Sequence, residues 1–149
     1  MPVTIDFVLR RRPLLWEQGD DPVLAVEMLI PGERALRAFK LGEFTYTVTN
    51  ARLVRVSSAG VESAWWCRIR KVELPEPNRG PGSGIKPSGA IVFRDHRLVI
   101  AADSMGGLGV LQGLLRLAEW CRMQHELHGD ELGEVGLVHR ADCPHMLEP

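Results

Sequence analysis

The sequence has only three cysteines, no apolar run near the ~20 residues that a membrane-spanning helix needs, and almost no net charge. Three cysteines, an odd and sparse set with no signal peptide in view, do not make a disulfide framework and point to a reducing cytoplasm. Without a long apolar run the chain is expected to be soluble. Lys plus Arg number 18 and Asp plus Glu 19, so no global field draws the chain towards nucleic acid or a membrane surface. No internal repeat is visible.

The 149 residues, 45% of them hydrophobic, suit one ordinary globular domain. The organisation expected is a single domain over 1–149, with an N-terminal extension at 1–28, a core at 29–127 and an acidic, His/Cys-containing tail at 128–149. Charge is unevenly placed. From Gln124 onward there are six acidic residues and one basic one, which leaves residues 1–123 at about +4.

Strand patterns dominate. "PVTIDFVLR" alternates Val3, Ile5, Phe7 and Leu9 with Thr4, Asp6 and Val8, predicting a half-buried strand. Asp21-Pro22 before an apolar run predicts a short helix stopped by Pro31-Gly32. "RALRAFKL", Gly42-Glu43 and "FTYTVTNARLVRVSS" predict a hairpin and a further turn at Asn50-Ala51. "ESAWWCRIRKVEL" continues as a strand, with Trp65, Cys67 and Ile69 on one side and Trp66, Arg68 and Arg70 on the other. Residues 75–89 hold four prolines and four glycines and read as a long loop. "AIVFRDHRLVIAA" is then a tight hairpin around Asp95-His96. In the last element, Leu111, Leu114, Leu115, Ala118 and Cys121 recur at the spacing of one buried helix face.

This order predicts an α+β fold: a strongly bent antiparallel sheet or barrel capped by a long C-terminal helix over 108–127, preceded by a short N-terminal strand and helix. Together with "LIPGERALRAFKL", "FTYTVTNARLVRVSS" and "WWCRIRKVEL", it resembles the bacterial pleckstrin-homology-like domains. In that family a Pro-Gly-Glu turn precedes the first strand, a Thr-Asn-x-Arg-Leu step (Thr49, Asn50, Arg52, Leu53) joins two strands, and a later strand ends Ile-x-x-Val (Ile69, Val72). The resemblance implies a binding scaffold with no inherited chemistry. Lipid-binding members carry several Lys and Arg between the first two strands. Here "KLGEF" opposes Lys40 with Glu43, which argues against phosphoinositide binding.

Four constellations bear on function. Ser104 in "ADSMGG" looks like a nucleophile elbow, and Asp130 with His139 or His145 supplies the order Ser, Asp, His. The hairpin-like upstream chain is wrong for the parallel sheet that elbow needs, and a helix cap at Asp103 or Ser104 explains the same letters. Gly107, Gly109 and Gly113 likewise resemble a dinucleotide turn, but no strand follows the helix. Cys121 and His125, then His139 and Cys143, spell C-x3-H and H-x3-C, a donor set that suits tetrahedral zinc, with His128 and His145 spare. The surrounding "GDELGEVGLVHRADCPHM" is similar to a short segment of the bifunctional stringent-response alarmone enzymes, which implies a compact metal-capable turn. Against zinc, Cys121 falls on the leucine face, where a cysteine behaves as a small hydrophobe.

The fourth constellation is Trp66, Arg68 and Arg70. An exposed tryptophan beside arginines is a common composition for a protein-binding patch, and these are the candidate partner-binding residues. Near-neutral charge argues against single-stranded nucleic acid at the same patch. The function expected is therefore a non-enzymatic binding or adaptor module for a protein partner, a further copy of the chain included. The alternatives are a zinc-stabilised module and a small serine hydrolase.

Overall fold

The computed structural model describes residues 3–10, 29–75, 88–102 and 105–138. Within them lie α1 (Ile5–Arg10), a four-stranded sheet of β1 (Ala35–Leu41), β2 (Phe44–Thr49), β3 (Arg52–Ser57) and β4 (Gly60–Trp65), and a three-stranded sheet of β5 (Lys71–Glu73), β6 (Ser88–Val92) and β7 (Arg97–Ala101). A 24-residue helix, α2 (Met105–His128), and a 3-10 segment (Gly129–Val135) follow. Both sheets are antiparallel and ordered as the strands occur in sequence. The α+β expectation holds at this level, as two sheets and a long C-terminal helix. Among the described residues no strand pairing joins the sheets into a closed barrel.

The N-terminal strand is corrected. Residues 5–10 form a helix, opened by Thr4, whose hydroxyl accepts from Phe7 N at 3.3 Å. Ile5 and Leu9 are buried. They lie four apart, so one helical stripe reaches the core, and that spacing overrides the alternating pattern of the same letters. The helix expected after Asp21 falls outside the described residues, as do residues 76–87 of the Pro/Gly-rich loop.

Turn chemistry sets the sheets. Gly42 has φ +65 between paired Leu41 and Phe44, the positive angle a two-residue hairpin asks of its first loop position. Pro31-Gly32 makes a reverse turn with Glu33 N bonded to Ile30 O at 3.0 Å and Gly32 at φ +83. Phe39, Tyr46, Val48, Leu53, Ile91 and Ile100 meet the predicted helix stripe, in which Leu111, Leu114, Leu115, Ala118 and Cys121 are all fully buried. Each such leucine stabilises the fold by about 1.5–3 kcal/mol relative to exposure. Helix and sheet approach so closely that a Cβ on Gly89 would overlap Leu115 and the Glu73 carbonyl.

The sheets are also tied by Arg55 on β3. Its Nη1 donates to Val99 O of β7 at 2.9 Å, its Nε to Glu62 at 2.7 Å, and its guanidinium lies 4.3 Å from the Phe44 ring centroid. One arginine thus spans both layers.

Beneath these contacts lies a buried polar network. The Glu33 carboxylate accepts from Arg52 Nε at 3.0 Å, from Thr49 Oγ1 at 2.6 Å and from Ile30 N at 3.0 Å. Arg52 also donates to Ser63 Oγ at 2.9 Å and lies 4.5 Å from the Trp65 ring centroid. Asn50 Oδ1 accepts from Arg34 N at 2.7 Å and its Nδ2 donates to Gly32 O at 3.0 Å. The Pro-Gly-Glu turn and the Thr-Asn-x-Arg step are therefore two halves of one structure. Replacing Arg52 by Met strands a buried carboxylate and should cost about 3–5 kcal/mol, read by urea unfolding. Asp6→Asn at the exposed Asp6–Arg34 pair should cost under about 1 kcal/mol.

Candidate functional site

The strand expected to run through Trp66 does not continue. β4 ends at Trp65, residues Trp66–Arg68 form a 3-10 turn, and the chain enters the second sheet with Arg70 N bonded to Val92 O at 2.8 Å. The turn cancels the alternation on which the face assignment rested. Trp66 is corrected from surface to core: it is fully buried, and its indole N–H donates to Thr49 O at 3.0 Å. A buried indole needs such an acceptor, and the Thr49 turn supplies it. Trp66 is thus the anchor of the turn. Arg68 and Arg70 do reach the surface, with buried Ile69 between them and buried Cys67 just before.

These two arginines line an open groove of about 840 Å³. One wall is the 3-10 turn, a second is the β6–β7 hairpin from Phe93 to His96, and the third is α2 at Arg122 and Glu126. The hairpin is tight, with Phe93 N bonded to His96 O at 2.9 Å and the two rings stacked 4.6 Å apart. Volume and mixed lining place the groove within the usual range of ligand sites, about 300–1,000 Å³. Neither Arg94 nor Arg122 is legible as a site residue in the sequence, because a hairpin and a distant helix turn bring them to Arg70.

The charges around the groove fall into two groups. Arg122 is held by carboxylates on both sides, Glu119 one turn before it and Glu126 one turn after. The hydrogen-bonded guanidinium holds the Glu119 carboxyl below its ordinary range. Asp95 bonds His96 Nδ1 at 2.7 Å, and this bond, with the Arg68 charge nearby, holds its carboxyl below the usual value. Lys71 and Arg97 share Glu73. Arg70 and Arg94 are both exposed, and their guanidinium groups make no ion pair or hydrogen bond among the described residues.

The proposed metal donors are only partly in view. Cys121 and His125 are buried, one turn apart on α2. His139, Cys143 and His145 lie outside the described residues, as does Ser104. Among the described residues no three His, Cys, Asp or Glu side chains gather as a metal site, and no helix is long and apolar enough to cross a membrane.

Burial pushes the Cys121 thiol well up and also raises the Tyr46 hydroxyl. A group whose pKa is raised in the fold supports stability below its unfolded value and loses that support as pH rises through the folded one. Unfolding free energy should therefore fall from about pH 8.5 upward, first through the thiol and then through the phenol. Cys121→Ala should flatten the early part of that slope, measured by urea titrations across pH.

No family model, curated protein or solved structure matches this chain.

Proposed function

We propose that this chain is a non-enzymatic binding module of pleckstrin-homology-like architecture, which recognises a protein partner at the groove lined by Arg68 and Arg70. Support comes from the element order: the resemblance rests on strands, a long loop, two further strands and a long terminal helix, and β1–β5, β6–β7 and α2 follow in that sequence. The joining of the Pro-Gly-Glu turn to the Thr-Asn-x-Arg step by side-chain bonds supports the same reading, since both motifs belong to that resemblance.

The observation that carries the binding role is the groove itself. Its rim is arginine-rich and solvent-facing, while its base is fixed by core residues such as Trp66 and Ile69. Rigid support beneath exposed guanidinium groups lowers the ordering cost of association. The module then acts by holding a partner, with no chemical step and no cofactor.

The original surface patch cannot be tested through Trp66, because Trp66→Ala would open a cavity in the core. Arg68→Glu with Arg70→Glu leaves the core untouched. Immobilised wild-type protein should recover a specific protein partner from its native cell lysate, and the double variant should recover about tenfold less with an unchanged circular dichroism spectrum and melting temperature. Equal recovery by both proteins would overturn the reading.

A further inference from the structure

We propose that the groove takes an acidic peptide segment of the partner, with Arg70 and Arg94 as the carboxylate-binding pair; this rests on the binding-module reading above. Arg70 stands at the entry to β5 and Arg94 at the exit from β6, and the Arg70 N to Val92 O bond holds the two strand ends together. Both guanidinium groups are exposed just outside the ends of adjoining strands and line the same groove, and neither has an acidic neighbour bonded to it among the described residues. Other charged side chains around them have partners: Arg122 pairs with two glutamates, Lys71 and Arg97 share Glu73, and Asp95 hydrogen-bonds His96. Arg70 and Arg94 thus face solvent on one groove with no carboxylate paired to either among the described residues.

The chemistry favours a peptide over other anions. A planar guanidinium binds a carboxylate through two parallel N–H bonds, so two arginines read two acidic side chains with defined spacing. Phe93 and Ile69 add apolar surface at the base of the groove, which suits the intervening side chains of a peptide and has no use for an isolated ion. A membrane or a nucleic acid presents a dense sheet or row of negative charge. Either would set that charge against Asp95, Glu119 and Glu126, which share the groove and its helix flank. A short peptide needs to bring carboxylate only to Arg70 and Arg94.

Short fluorescein-labelled peptides carrying spaced Asp and Glu residues, and matched peptides with Asn and Gln, test this by fluorescence anisotropy at low salt. The acidic peptides should bind about tenfold or more tightly than the amide peptides, and Arg70→Glu with Arg94→Glu should remove about tenfold of that affinity. Arg37→Glu with Lys40→Glu, exposed on β1 away from the groove, should change it by less than about twofold. Equal binding of acidic and amide peptides, or equal loss from the two double variants, would overturn the proposal. So would binding to phosphatidylserine vesicles or oligothymidine by a protein that takes neither peptide. If acidic peptides fail while partner capture still depends on Arg68 and Arg70, the inference falls and the binding-module reading stands.

Discussion

The ion pair of Glu33 and Arg52 is buried almost completely, with side-chain exposures of 0% and 7%, and the rest of the chain is arranged around it. Removing two charges from water is costly, and such a pair persists only when every remaining lone pair and proton finds a partner. Here Thr49, Ser63 and the backbone of Ile30 supply those partners. The same few residues fix three distant segments: the turn before β1, the turn between β2 and β3, and the chain after α2, where Val138 N bonds Asn50 O at 3.1 Å. Specific polar geometry, beyond apolar burial, sets how the ends of the fold meet its first sheet.

A short path leads from that network to the groove. Thr49 O receives the Trp66 indole, Trp66 N bonds Ala51 O, and the 3-10 turn that begins there carries Arg68 and Arg70 outward. The position of the groove arginines is thus set by hydrogen bonds to the β2–β3 turn. On the far side, α2 is pinned by its leucine face, so Arg122 and its two glutamates form a fixed wall. The rim charges are exposed side chains on a packed frame, an economical arrangement for recognition.

Much of this was legible in the letters because local rules decide it. The hairpin at Gly42-Glu43, the turn at Asn50-Ala51, the tight loop at Asp95-His96 and the buried stripe of α2 follow from turn residues and periodicity. Two failures have physical causes. At residues 5–10, Ile5 and Leu9 satisfy both a period of two and a helical i, i+4 pair, and only tertiary contact chooses between them. At Trp66 an alternating pattern hides a 3-10 turn, whose reason is a distant acceptor, Thr49 O, that no local window contains. The groove was half legible: Arg68 and Arg70 stand together in sequence, whereas Phe93, Arg94 and Arg122 arrive through the fold.

The arginine that spans the two sheets has one more consequence. Among the described residues β7 is the last strand of its sheet, and Val99 on it is half exposed, so its outer carbonyls form a template on which another chain could add a strand. Arg55 occupies the Val99 carbonyl with a side chain that cannot propagate a ladder. The contact that ties the layers together also blunts a sticky edge, and it sets a charge where a neighbouring strand would have to lie.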